Sequence, residues 1–177
     1  MNDIFDYMEP IFKRTFQNSD ASEYRYLSMI PDRFGIRRAG QEVGRETWHK
    51  DQSMTIEQAK VAQVFGGWIN LNASINTYFS CVPADVVSTR DTEGFYERRL
   101  HLKGGFTAET EHIPWLDQRR FRVEVPPNHI IIFNELLTHE VVKAVTTEPF
   151  NYRCYLKWFV SKNNVPYWPQ ERMDNYF

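Results

Sequence analysis

Four side chains have types and spacings that could run chemistry together: His49 and Asp51 in Trp48-His49-Lys50-Asp51, His139 in Leu137-Thr138-His139-Glu140, and Arg153 in Tyr152-Arg153-Cys154. On an extended segment, residues i and i+2 project to one side, so His49 and Asp51 can reach one ion while Lys50 faces away. A distant His139 at the start of another strand completes three ligands. Two imidazoles and one carboxylate on one face leave the opposite coordination positions open. That arrangement suits a non-haem Fe(II) which must bind a co-substrate and O₂ together. We therefore read His49, Asp51 and His139 as metal ligands and catalytic residues. Arg153 follows His139 by 14 positions, one hairpin on. Its guanidinium, on an inward face, is a fixed and always charged fork for a carboxylate, and it fits the far end of 2-oxoglutarate.

Each piece has a plainer reading. A His-x-Asp pair recurs by chance, a single His is usually structural, and a strand Arg usually pairs with a surface carboxylate. Order and context carry the assignment: the pair, then a long stretch of strand signals, then the second His, then Arg one strand later.

The elements that must position these residues follow from periodicity. Ile4, Tyr7, Met8, Ile11, Phe12 and Phe16 have helical spacing and predict a helix laid against a sheet. Pro31 and Gly35 read as breakers, and a short helix is expected around Ile56 to Val64. Strand grammar begins at Gly66: Trp68 to Leu71, Thr77 to Val82 ended by Pro83, the alternating Phe121, Val123 and Val125, the apolar run Ile130 to Phe133, and Leu136 to Val142. In the last strand, Tyr152 to Val160, Tyr152, Cys154, Leu156, Trp158 and Val160 share one face, and Arg153, Tyr155, Lys157 and Phe159 the other. The expectation is a mainly β chain with N-terminal helices, a sandwich or jelly roll of cupin type. Residues 1–43 form the helical cover, 44–161 the β core, 85–118 an inserted excursion over the pocket, and 162–177 an aromatic tail packed outside.

Size and composition bound the reading. A chain of 177 residues with 42% hydrophobic residues suits one domain, here 1–177, with its own core. A net charge of −2 excludes a global cationic field for nucleic acid or anionic lipid. Cys81 and Cys154 are too few for a disulfide framework and read as reduced, buried thiols. An acidic start and no long apolar run predict a cytoplasmic protein with no membrane partner. The excursion mixes Arg90, Arg98, Arg99 and Lys103 with Phe95, Tyr96, Phe106 and Trp115, a set that could grip an anionic molecule or stack a base; interleaved acids favour a solvated loop instead, and nucleic acid stays open only as a local partner. The substrate, small molecule or macromolecule, stays open, as does monomer against homodimer.

The ordered set His49-x-Asp51, His139 and Arg153, with Gly67-Trp68-Ile69-Asn70-Leu71, Phe79-Ser80-Cys81-Val82-Pro83 and Val125-Pro126-Pro127-Asn128-His129-Ile130-Ile131-Ile132-Phe133, resembles the Fe(II)/2-oxoglutarate-dependent dioxygenases. The nearest flavour is the phytanoyl-CoA dioxygenase-like branch, small viral members included, over residues 44–161. The resemblance implies a double-stranded β-helix, iron held by His49, Asp51 and His139, and Arg153 on the distal carboxylate of 2-oxoglutarate. It implies hydroxylation with O₂ consumed and succinate and CO₂ released, in a host cytoplasm if the protein is viral. Two departures stand out. Ala84-Asp85 follows Pro83 where members often continue Gly-Ser-His, which leaves substrate open. Asn128 stands where a turn Gly is common, and Asn tolerates positive φ.

Asn70, Tyr78 and Ser80, polar and close to the first strands after the ligands, are further candidates to contact 2-oxoglutarate. Tyr155, on the face of Arg153, either lines the pocket or is plain core. Two other function classes share parts of this set. A cupin-like metalloprotein doing isomerase or hydrolase work needs the three ligands but not Arg153, and a non-catalytic jelly-roll binding module needs none of the four.

Overall fold

Three long strands and one short one build one sheet, and short strands build the other. The computed structural model describes residues 2–17, 26–41, 48–51, 62–83, 96–98, 106–140, 142 and 149–163. In chain order these hold helix α1 (Asn2–Gln17) and strands β1 (Tyr26–Arg38), β2 (His49–Lys50), β3 (Ala62–Asn70), β4 (Thr77–Cys81), β5 (Tyr96–Arg98) and β6 (Phe106–Ala108). A 3₁₀ turn (Thr110–His112) leads into helix α2 (Ile113–Gln118), then β7 (Phe121–Val125), β8 (Ile130–Asn134), β9 (His139–Glu140) and β10 (Phe150–Ser161).

Four strands pair in the order β1-β10-β3-β8 and six in the order β5-β6-β2-β9-β4-β7, every neighbouring pair antiparallel. From β7 onward the chain changes sheet at every step. This interleaving makes the described chain mostly β and is consistent with the jelly-roll expectation. The tight turn from β7 to β8 contains Asn128 at φ 60°, the left-handed conformation that Asn accepts at low cost.

The sheets stack face to face through Trp68, Phe79, Cys81 and Val125, joined by Ile131, Phe133 and Tyr155. Helix α1 covers the other face of the four-stranded sheet, setting Met8 and Phe12 on Leu156, Trp158 and Val160. Burying two such side chains contributes roughly 1.5–3 kcal/mol each. Helix α2 covers the other face of the six-stranded sheet, setting Leu116 on Trp48, Val82 and Ala108. No helix among the described residues is long and apolar enough to cross a membrane.

The structure corrects several boundaries. Residues 26–38, expected within a helical cover, form a 13-residue strand that pairs with β10 along its length. Pro31 lies at a register shift on this edge strand, where a missing N–H costs little. Gly35 lies where a Cβ would meet the Tyr155 ring at 2.8 Å. Of the helix expected at 56–64, residues 62–64 belong to β3 and the rest lies outside the described residues. The excursion at 85–118 is partly woven into the fold: β6 pairs with β2, and α2 roofs the sheet. The strand expected at 136–142 is two residues long. Cys81 and Cys154 are both free thiols. The aromatic tail expected at 162–177 lies outside the described residues after Asn163.

Candidate metal centre

The register of the six-stranded sheet brings the candidate ligands together. His49 on β2 stands directly opposite His139 on β9, and His139 directly opposite Cys81 on β4. Opposed residues in antiparallel strands project to the same face. That face is the inter-sheet interior, because Phe79, two residues before Cys81, stacks on His139 with centroids 5.6 Å apart. Phe133 from the opposite sheet closes on the same imidazole at 4.7 Å. The two imidazole centroids are 4.2 Å apart.

Asp51, just past the end of β2, aims its carboxylate between them. Its Oδ1 is 3.8 Å from His49 Nε2 and its Oδ2 is 3.7 Å from His139 Nε2. One ligand atom from each residue lies within 4.8 Å of the others. Both imidazoles are buried and Asp51 is half-buried. A cation held at roughly 2.1 Å from each donor needs neighbouring donors about 3 Å apart, so small side-chain rotations complete the fit. The His139 Nδ1–H donates to the Leu137 carbonyl at 2.9 Å, which fixes the tautomer and leaves the Nε2 lone pair for a metal. The donor set, two imidazoles and one carboxylate, fits a divalent ion such as Fe(II).

Arg153 enters the same interior from the four-stranded sheet. It is 6% exposed, and its guanidinium lies 4.2 Å above the centre of the Trp68 ring. Burial pulls the guanidinium below its usual pKa, opposed by Tyr155, which also hydrogen-bonds it, and reinforced by the neighbouring charge of Arg37. Its Nε has no hydrogen-bond partner among the described residues. A buried cation with an orphaned donor is costly unless an anion completes it. A carboxylate ligand fits that requirement.

The remaining candidates are placed differently. Asn70 is fully buried and saturated: its Nδ2 donates to the carbonyls of Ile75 and Val125 at 2.9 and 2.8 Å. Its Oδ1 accepts from the backbone and side chain of Asn72. It ties β3 to the β4 and β7 segments with no hydrogen-bonding capacity left over. Tyr78 and Ser80 alternate with Phe79 and Cys81 and so point to the opposite face of β4, away from His139. Tyr78 lies beneath the Arg122 guanidinium there. The structure therefore does not bring Asn70, Tyr78 or Ser80 to the cation site as free groups. Tyr155 does share the face of Arg153, with Arg33 stacked 4.5 Å from its ring centre. His112 and His129 lie outside the cluster, at a partner-bearing turn and a tight turn, and His101 lies outside the described residues.

Trp68 and Arg37, which lie beside Arg153, were not among the candidate site residues. Both lay within reach of the sequence reading: Trp68 pairs with Tyr155 across β3 and β10, and the Arg33-x-Gly35-x-Arg37 alternation becomes meaningful once 26–38 is a strand.

Neither a family model nor a curated protein matches the chain. Among solved structures it is similar to one described as an iron and alpha-ketoglutarate-dependent endoperoxidase, NvfI. The TM-score is 0.55 at 11% sequence identity, over 90% of this chain and 68% of that one. At that identity the likeness is one of fold.

Proposed function

We propose that this chain is an Fe(II)- and 2-oxoglutarate-dependent oxygenase on a double-stranded β-helix, one domain over 1–177, hydroxylating its substrate. The observation that carries this reading is the convergence of His49, Asp51 and His139 on the inner face of one sheet, with ligand atoms within 4.8 Å. The buried, incompletely partnered Arg153 on the other sheet favours an oxygenase using a diacid over other cupin-type metal chemistry. Likeness in fold to an iron and alpha-ketoglutarate-dependent endoperoxidase supports the same class. The motifs quoted above support the phytanoyl-CoA dioxygenase-like branch, with a cytoplasmic monomer or homodimer as the working form.

Fe(II) with 2-oxoglutarate and O₂ supplies the oxidising chemistry, converting the diacid to succinate and CO₂ as a substrate C–H becomes C–OH. The chain's own residues bind and orient. His49 and His139 present neutral nitrogen donors, the latter in the tautomer that Leu137 O selects. Asp51 supplies the anionic donor and offsets part of the metal charge. Arg153 receives the far carboxylate of the diacid, and the Trp68 face under it limits its rotamers. Phe79 and Phe133 exclude water from the His139 side.

Anaerobic calorimetry tests this directly. Mn(II) should bind at one site, 2-oxoglutarate should bind after the metal, and added Fe(II) and O₂ should release succinate. His49→Ala should lose all three. Metal uptake unaffected by His49→Ala overturns the metal site, and diacid binding undiminished in Arg153→Leu leaves a metalloprotein with other chemistry.

A further inference from the structure

The two imidazoles ride on very little regular backbone. Strands β2 and β9 are two residues long each, and among the described residues their mutual pairing is the single position His49 opposite His139. So short a ladder does not by itself define a ligand separation to the tolerance a metal requires. The residues beside the ligands in sequence, Trp48 and Glu140, point to the opposite face by strand alternation, and there one group of side chains ties them together.

Arg120, just past helix α2, makes a forked ion pair with Glu140: Nε to Oε1 at 2.7 Å and Nη2 to Oε2 at 3.2 Å. The same Nη2 contacts Asp117 Oδ1 at 2.7 Å. That Asp117 oxygen also accepts the indole N–H of Trp48 at 2.9 Å, and the Arg120 guanidinium lies 5.6 Å from the centre of the Trp48 ring. Trp48 is 1% exposed beneath Leu116 of α2. A continuous chain of charge-assisted contacts therefore runs Trp48–Asp117–Arg120–Glu140 along the back of the sheet. It joins the neighbour of one ligand to the neighbour of the other.

Resting on the proposed metal site, we infer that Arg120 is a positioning residue: through Asp117 and Glu140 it sets the separation of His49 and His139. Removing it leaves all three ligands present but lets β2 and β9 drift, so the loss is read in metal affinity and ligand geometry before chemistry. Disturbing such supporting contacts typically costs about 10- to 100-fold in metal affinity. Arg119 supplies the control. It is the adjacent residue, and among the described residues its ring contact at 4.1 Å and its side-chain hydrogen bond both go to Trp115.

The experiment titrates the intact protein with Mn(II) by electron paramagnetic resonance and records the visible spectrum of the Co(II) form, each beside a thermal melt. Arg120→Met should weaken Mn(II) binding by about 10-fold or more and alter the Co(II) bands, while Arg119→Met leaves both unchanged. Glu140→Gln keeps the shape of the side chain and removes the charge that Arg120 grips; it should weaken binding in the same direction, and it decides the matter if Arg120→Met fails to fold. Wild-type affinity and spectrum in Arg120→Met, or in Glu140→Gln where that variant decides, overturn the positioning role while the metal site stands. Absence of Mn(II) binding in the wild type overturns the site and the brace together.

Discussion

The two sheets divide frame from function. In the four-stranded sheet, β1, β3 and β10 run 13, 9 and 12 residues and pair in long continuous registers. In the six-stranded sheet no strand exceeds five described residues, and the two that carry the imidazoles have two each. The long sheet is over-determined: ladder bonds, α1 packing and the inter-sheet core all specify the same arrangement. The short sheet gains ligand positions at strand ends, where chain direction can change, and depends on side-chain contacts for rigidity. The candidate cation cluster sits on the less regular sheet, facing the more regular one.

The sharpest way to break this comparison is to remove a ligand. His139→Ala should abolish measurable Mn(II) binding while costing about 2 kcal/mol of stability, since the ring's contacts with Phe79, Phe133 and His49 and its bond to the Leu137 carbonyl are lost while the backbone ladder stays. A chemical-denaturation midpoint far below wild type would mean that the short sheet also carries the fold. The converse substitution belongs in the long sheet. A Cβ on Gly67 would overlap the Ile131 carbonyl oxygen on β8 and press on Trp158 at 3.0 Å. Gly67→Ala should cost about 3 kcal/mol, or prevent folding, because β3 and β8 must separate to admit it. A melt within a few degrees of wild type would show the frame to be softer than its registers imply.

Arg153 sharpens the comparison, being a candidate site residue that the four-stranded sheet presents. Arg153→Met should weaken 2-oxoglutarate binding on the order of 100-fold in calorimetry on the Mn(II)-loaded protein. The metal-free protein should be as stable as wild type or more so, because a desolvated, incompletely partnered cation is replaced by an apolar chain of similar length. A large loss of apo stability would instead make Arg153 a structural pillar.

The same division explains what was legible in the sequence. His49-x-Asp51 could be read because period-two projection is local, and the inward Arg153 because its strand alternates over nine residues. Strand β1 was hidden by Pro31 and Gly35. Both obey rules that need the neighbouring strand: Pro31 falls at an edge bulge, and Gly35 makes room for Tyr155. Tyr78 and Ser80 drew attention as polar residues near the ligands, but their face depends on strand parity relative to a partner 40 or more residues away. Asn70 was found for its polarity, although what it does is close off backbone groups. The Trp48–Asp117 bond spans 69 residues and leaves no local signal at all.

The smallest expected effect compares one thiol from each sheet. Burial raises the pKa of Cys81 and of Cys154 above the reference value of 9.0. The unfolded chain therefore releases these protons first as pH climbs, while the folded chain still holds them. By linkage their contribution is complete below pH 9.0 and declines as pH rises through the raised folded values. Cys81, at 7% exposure and opposite His139, is the more deeply buried of the two. Urea midpoints measured at about pH 8, 9 and 10 should fall less steeply in Cys81→Ala than in wild type, with Cys154→Ala between them. A Cys81→Ala slope matching wild type would mean that water reaches this thiol, and with it the row of side chains running to His139 and His49.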